Sequence, residues 1–127
     1  MRSTGEDGII KKYNTLIYGE QKDMDGIVVL ITASNEEEAA KIARALVEEK
    51  LAGCVNIIKN IRSIYSWKNA VEDEAETLMI AKTQKALFST LMKKVKELHS
   101  YSVPEVIALP IVEGSEDYLK WLQEVTG

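Results

Sequence analysis

The chain has 127 residues, and 46% of them are hydrophobic, which is enough for the core of one domain. Its net charge of −4 offers no basic surface to DNA or RNA. Its single cysteine, Cys54, cannot close an internal disulfide, no apolar run reaches the roughly 20 residues of a membrane span, and the first residues lack the apolar stretch of a signal peptide. We therefore expect a soluble, cytoplasmic protein with no nucleic-acid or membrane partner.

Residues 1–26 contain four glycines among mixed charges and one short apolar patch, YNTLIY at residues 13–18. We interpret them as an N-terminal extension to a domain that covers residues 27–127. The patch is compatible with an added strand, with a segment that docks on a neighbour, and with a mobile tail.

The first predicted elements of the domain are a buried strand and an amphipathic helix. Residues 27–33, IVVLITA, form a β-branched run that is typical of a strand buried on both faces. Ser34 followed by Glu37 matches a capping box, so a helix should begin there, and Gly53 is expected to end it. Its apolar face has helical spacing: Ala39, Ile42, Ala43, Leu46 and Val47.

A hairpin and a second helix follow. Two runs rich in β-branched and aromatic residues, Cys54–Trp67 and residues 76–83, predict paired strands joined by the polar turn KNAVEDEA. Because the first run is long for a small domain, we expect it to bend, bulge or project beyond the sheet. The second helix is predicted to begin near Thr83 and to end before Pro104.

The C-terminal part predicts one more strand and a short helix. Pro104 and Pro110 each remove a donor from a strand ladder, so the strand should lie at a sheet edge or start and stop beside them. Ser115 is expected to cap the last helix.

The predicted order is strand, helix, strand, strand, helix, strand, helix. It indicates an α+β fold, a ferredoxin-like split βαβ sandwich with an antiparallel sheet and an extra C-terminal helix. With helices on one side only, the other face of the sheet should be apolar and need a partner, so we expect an oligomer. The side chains assigned to that face are Ile57, Ile61, Ile64, Met79 and Ala81.

From about residue 27 to residue 124 the sequence resembles the CutA family of divalent-cation tolerance proteins. The resemblance rests on VVLITASNEEEAAKIARALVEEKLAGCVNI, SIYSW, ETLMIAKT, ELHSYSVPEVIALPI and DYLKWL taken together. It implies a ferredoxin-like homotrimer, packed around a three-fold axis, that is linked to the tolerance of divalent cations, copper above all.

The chain departs from the family pattern at three places. The hairpin tip reads Lys-Asn-Ala-Val-Glu at residues 68–72, and the motif usually read as His-Pro-Tyr is His99, Ser100 and Tyr101. Ile31 and Leu98 stand where some bacterial members have a cysteine and a second histidine. A copper site built from those ligands is therefore expected to be incomplete.

Three residues are candidate metal ligands. His99, the only histidine, can bind a metal or cap a helix end. Cys54 offers a soft thiolate to a metal, or it is a small buried hydrophobic residue. Glu105 is a candidate carboxylate ligand. A closed site usually needs about four ligands, so we expect any divalent cation, such as copper, to be weakly held or shared between subunits.

The resemblance also implies a cleft between subunits. Its candidate residues are Tyr65, Trp67, Tyr101 and Lys82, with Glu105 as a carboxylate, and such a cleft is suited to a small ligand. The alternatives are aromatic packing at the subunit contact and, for Lys82, a solvated salt bridge.

No catalytic motif is present in the sequence, so we expect a protein that is not an enzyme. The acidic cluster at residues 36–38 suits the start of a helix, and that at residues 72–76 is interpreted as a polar turn. The function expected is that of a homotrimeric, cytoplasmic protein linked to divalent-cation binding or tolerance. The alternative is a structural or signalling trimer that binds a partner protein, or a small ligand in the inter-subunit cleft.

Overall fold

The computed structural model describes residues 25–127, so the predicted extension lies outside the described residues except for its last two positions. The elements in chain order are β1 (Gly26–Ala33), α1 (Glu36–Glu48), β2 (Cys54–Trp67), β3 (Ala70–Gln84), a 3-10 turn (Lys85–Leu87), α2 (Phe88–Leu98), β4 (Val106–Pro110) and α3 (Glu116–Val125). The sheet order is β2-β3-β1-β4 with every pair antiparallel. Because α1 joins β1 to β2 while β3 lies between them, the split βαβ arrangement is present. The predicted α+β ferredoxin-like fold is confirmed.

The hydrophobic core lies between the sheet and helices α1 and α2. Alternate residues of β1 and β3 face the helices, as expected for a period of two. Each fully buried Leu, Ile or Val side chain stabilises the fold by about 1.5–3 kcal/mol. The side chains of this cluster with no exposed surface are Val29, Ile31, Ala33, Ala39, Ile42, Leu46, Met79, Ala81, Leu91 and Val95, and Leu122 of α3 is fully buried outside it.

Helix α1 begins one residue later than predicted. Asn35 is its N-cap, and Asn35 Oδ1 accepts a hydrogen bond from the Glu38 amide at 2.8 Å. Glu38, not Glu37, reaches back, and its Oε1 accepts from the Ser34 amide at 3.1 Å. The predicted box from Ser34 to Glu37 is wrong, because an asparagine amide caps a helix as well as a serine hydroxyl does and the adjacent pair fits the same spacing.

The end of α1 also differs from the prediction. The helix ends at Glu48, and Lys50 then turns the chain with a φ of 61°, well before Gly53. Gly53 has another role, since a Cβ added there would lie 2.7 Å from Leu122 Cδ1 of α3. This glycine allows the C-terminal helix to pack closely against the start of β2.

Strands β2 and β3 form a long hairpin with a tight turn. Lys68 and Asn69, with φ of 50° and 66°, are the two turn residues, the left-handed pair that a two-residue hairpin turn requires. The predicted turn KNAVEDEA is therefore wrong beyond its first two residues, and the acidic segment at residues 72–76 is part of β3. The predicted irregularity of the first strand is confirmed by a register shift between Ile58 and Ile61.

The junction from β3 to α2 also lies later than predicted. Strand β3 continues through Gln84, pairing with β1 from Thr77 to Gln84, and α2 begins only at Phe88. The backbone bonds of the ladder outweigh the weak helix signal near Thr83. At the other end of the chain, β4 is an edge strand and Ser115 caps α3 through its Oγ, and both predictions are confirmed.

One face of the sheet lacks helices along most of its length, and most of its residues differ from those predicted. Ile61 is an exception, because it pairs with Glu76, which lies two residues before Leu78 on the same side of β3. Met79 and Ala81 are fully buried in the helix-facing core, and Ile57 packs against it. Because directly paired residues share a face, the neighbouring positions form the opposite side. We call this surface the open face: Val28, Leu30, Ile58, Leu78, Ile80, Ile107 and Leu109.

Candidate functional site

A cleft of about 650 Å³ lies between the projecting part of β2 and the loop that connects α2 to β4. We call it the aromatic cleft, because Tyr65, Trp67 and Tyr101 line it, together with Glu76, Glu105 and Arg62 among others. The structure thus brings together four residues that the sequence proposed for a cleft or a metal: Tyr65, Trp67, Tyr101 and Glu105. That this cleft lies between subunits stays a prediction.

Glu76 is the buried carboxylate of the aromatic cleft. Glu76 is 8% exposed, and its Oε2 accepts a hydrogen bond from the Tyr101 hydroxyl at 2.6 Å. Burial, followed by this bond to Glu76, raises the pKa of Tyr101 above its ordinary value. Tyr101 therefore remains a protonated donor at neutral pH, and the bond fixes the loop onto β3.

The mouth of the aromatic cleft is ordered by two cross-strand contacts between β2 and β3. The Tyr65 hydroxyl donates to Glu74 Oε1 at 2.6 Å, and this hydrogen bond raises the pKa of Tyr65 to about 12. Arg62 forms a bidentate pair with Asp73 at 2.8 and 2.6 Å, which raises the pKa of Arg62 and lowers that of Asp73. Arg62 lines the cleft, but its positive charge is paired with Asp73, which does not line it.

His99 lies behind the aromatic cleft, with its side chain fully buried. Its Nε2 contacts the Thr32 carbonyl oxygen at 2.7 Å, and its Nδ1 accepts from the Tyr101 amide at 3.0 Å. A carbonyl only accepts, so Nε2 is the protonated nitrogen. Both ring nitrogens are therefore engaged in holding β1 to the loop, and coordination of a metal by Nδ1 requires the Tyr101 amide to leave.

Glu38 supports the same loop from helix α1. Its Oε2 accepts from the Ser100 amide at 2.6 Å, while its Oε1 accepts from Ser34. Burial raises the pKa of Glu38, but the hydrogen bonds from Ser100 and Ser34 outweigh it and lower the pKa to about 2. The carboxylate ties the start of α1 to the segment that carries Tyr101.

Cys54 and Lys82 are not part of the aromatic cleft. Cys54 Sγ lies 4.0 Å from Lys82 Nζ, and Lys82 also contacts the Asn56 side-chain oxygen. Lys82 pairs with Val28 of β1. Thr32, which lines the cleft, lies four residues further along β1, roughly 13 Å from Val28. The sequence-based grouping of Lys82 with the cleft aromatics is thus not reproduced within one chain.

The candidate metal ligands do not converge in the described chain. Among residues 25–127 no group of three His, Cys, Asp or Glu side chains is close enough to hold a metal ion. His99, Cys54 and Glu105 lie at three separate places, so their role as ligands stays a prediction. No helix of this same range is long and apolar enough to cross a membrane.

The sequence did not reveal the parts of the site that come from distant elements. The sequence places Glu76 both at the start of the predicted strand of residues 76–83 and in an acidic cluster interpreted as a polar turn. No local pattern marks Thr32 or Glu38 as a partner of the loop. One signal was available for Glu76: it stands two residues before Leu78 on the same strand, so it continues that face of the sheet.

Comparison with known proteins identifies relatives of this chain. The family model described as "CutA1 divalent ion tolerance protein" matches residues 27–125. The divalent-cation tolerance protein CutA of Thermus thermophilus is 53% identical over 100 residues, which are 79% of this chain and 97% of that protein. The chloroplastic protein CutA of Arabidopsis thaliana is 47% identical over 105 residues, 83% of this chain and 58% of that protein. The chain thus spans less than two thirds of the plant relative.

Solved structures agree with these relatives. CutA1 from Oryza sativa has a TM-score of 0.80 at 45% identity, covering 82% of this chain and 95% of that one. A protein from Archaeoglobus fulgidus described as the periplasmic divalent cation tolerance protein CutA has a TM-score of 0.77 at 40% identity, covering 79% and 97%. The match therefore extends over nearly the whole described fold.

Proposed function

The chain belongs to the CutA1 divalent ion tolerance family, and we propose that it works as a homotrimeric, non-enzymatic protein of the cytoplasm that binds divalent cations, copper in particular. The open face is the observation that supports assembly. Leu109 and Ile107 on edge strand β4 are 51% and 52% exposed, and Ile58 across the sheet is 44% exposed. Exposed apolar side chains grouped on one face in this way are stable in water when another subunit covers them.

Assembly can be tested without disturbing the fold of the single chain. In Ile107→Asp the new carboxylate stands at a site that is half-exposed in one chain and buried if the open face is an interface. Val112→Asp, at a position 80% exposed, is the matched control. We expect light scattering to give about three times 14.2 kDa for the unmodified protein and the control, and a lower mass for Ile107→Asp. A monomeric unmodified protein contradicts the trimer.

The cation role is tested by calorimetric titration of the metal-free protein with Cu²⁺, with Zn²⁺, and with Cu⁺ under reducing conditions. Cys54→Ser, His99→Gln and Glu105→Gln examine the three candidate ligands. Since these groups lie apart in one chain, we propose that a copper ion uses Cys54 with groups from other subunits, a soft thiolate being suited to Cu⁺. Absence of saturable binding by any of these ions contradicts a direct role in cation binding.

The cytoplasmic location rests on the free thiol of Cys54, which is half-buried and has no disulfide partner. Relatives carry the descriptions chloroplastic and periplasmic, so compartments differ among them. Fractionation of the source cells with an antibody to the protein tests the location. Recovery with membrane-enclosed or periplasmic fractions contradicts it.

The aromatic cleft supports a second candidate function, the binding of a small ligand. Its volume of about 650 Å³ is in the range of ligand pockets, and it combines apolar ring surfaces with a few fixed polar groups. The cleft lies at one end of the open face, since Thr32 lines the cleft and pairs with Leu78, so this function does not exclude the first.

A further inference from the structure

The charge inside the aromatic cleft is negative. Its lining includes the carboxylates of Glu76 and Glu105 and one basic side chain, Arg62, whose guanidinium is held by Asp73. Within the described part of the chain, Glu105 makes no hydrogen bond or ion pair. An uncompensated carboxylate at the wall of a partly enclosed space attracts a positive ligand and repels an anion.

The walls of the cleft are aromatic. Tyr65 and Trp67 are 37% and 42% exposed, so part of each ring is available to a ligand, and the ring of Tyr101 is fixed by its bond to Glu76. Aromatic faces carry negative potential and attract ammonium and guanidinium groups. The Lys68 ammonium already lies over the Trp67 ring, 5.7 Å from its centroid, so this indole takes part in one such contact.

The same features disfavour a bare metal ion in the cleft. A divalent ion needs several oxygen, nitrogen or sulfur ligands at close range, and the described residues contain no such group of three. A space of about 650 Å³ is also far larger than one ion. Aromatic rings beside two carboxylates fit a cation that carries its own apolar surface.

From these observations we propose that the aromatic cleft binds a small organic cation, an alkylammonium or guanidinium compound. Its charged group is held by Glu105 and the free oxygen of Glu76, and its methyl or methylene groups pack on Tyr65 and Trp67. This assignment rests on the proposed ligand-binding role of the cleft, and it names the class of ligand.

Choline and 3,3-dimethylbutan-1-ol form a suitable pair of probes, because they have the same shape and differ in the positive charge. Calorimetry of the full chain should show saturable binding of choline, one per chain, with the neutral analogue at least about 5-fold weaker. Glu105→Gln should weaken choline binding by about 3- to 10-fold. Glu113→Gln, which removes a carboxylate from an exposed position outside the cleft, is the matched control and should leave it unchanged.

The outcomes separate the ligand class from the cleft role. Equal binding of the neutral analogue, or binding of acetate or phosphate instead, overturns the organic cation and keeps the cleft as a ligand site. Zn²⁺ binding that Glu105→Gln abolishes, without choline binding, assigns the cleft to a bare ion and also overturns the proposal. No saturable binding of choline, spermidine, arginine methyl ester or the neutral analogue overturns both the cation and the cleft role. Light scattering on each variant shows whether assembly has changed.

Discussion

Glu38 provides the sharpest test of how the loop beside the cleft is held. Its two carboxylate oxygens accept from Ser34 and from the Ser100 amide, so each oxygen is needed as an acceptor. Glu38→Gln replaces one acceptor by an amide nitrogen that faces another donor. The substitution therefore removes the charge and also leaves a backbone N–H without its partner.

The magnitude follows from the pKa. A shift from 4.5 to about 2 corresponds to about 3 kcal/mol, and solvent screening at a side chain that is 12% exposed reduces this to about 2 kcal/mol. Because the pKa is lowered in the folded state, the contribution is present above pH 4.5 and is lost as the pH falls toward 2. We expect Glu38→Gln to be less stable than the unmodified protein at pH 7 and nearly equal to it near pH 2.

The assay is guanidinium-induced unfolding at several pH values and at one fixed protein concentration, since assembly makes stability depend on concentration. Glu37→Gln is the matched control, because Glu37 is exposed in the same helical turn and loses the same charge near the helix N-terminus. If both variants lose the same stability at every pH, the helix dipole explains the effect and the bonds to Ser34 and Ser100 do not. A loss for Glu38→Gln that persists unchanged at pH 2 also refutes the reasoning.

Three further predictions concern packing, the buried histidine and the hairpin turn. Gly53→Ala should lower the free energy of unfolding by about 1–3 kcal/mol, because the added Cβ meets Leu122 Cδ1 at 2.7 Å. An unchanged free energy of unfolding contradicts the close packing of α3. His99→Gln should lower the free energy of unfolding by about 2 kcal/mol, since both ring nitrogens form structural hydrogen bonds, and the copper stoichiometry measured by calorimetry should not change. Loss of copper binding at unchanged stability contradicts this. Asn69→Val should cost about 1–2 kcal/mol in the same unfolding assay, because a β-branched residue is strained at a φ of 66°, and Asn69→Gly is the control that should cost little.

The fold class could be predicted from the sequence because it depends on local patterns. The β-branched run of β1, the helical spacing in α1 and the serine cap of α3 are each encoded within a few residues. Their order leaves few ways to cover one side of an antiparallel sheet. The grouping of Tyr65, Trp67, Tyr101 and Glu105 at one cleft came from the family resemblance, and the structure places them together.

The N-cap of α1 and the buried side of β3 are wrong in the prediction because adjacent residues suit the same position equally well. Ser34 and Asn35 both suit an N-cap, and only the observed bonds choose Asn35. Met79 and Ala81 are predicted on the face without helices because both are apolar, but Leu78 and Ile80 beside them are equally apolar. A strand with apolar residues at successive positions has no alternation from which to read its buried side, so pairing with the rest of the sheet decides it.

The sequence by itself determined the order of the elements, the ferredoxin-like class and the family. Only the tertiary structure decided that His99 bonds to Thr32, that Glu76 is a buried partner of Tyr101, and that Cys54 lies far from the aromatic cleft. The physical reason is the range of the interactions. Caps, turns and periodicity act between residues a few positions apart, whereas these contacts join segments separated by as many as 67 residues, whose meeting depends on the packing of the whole sheet.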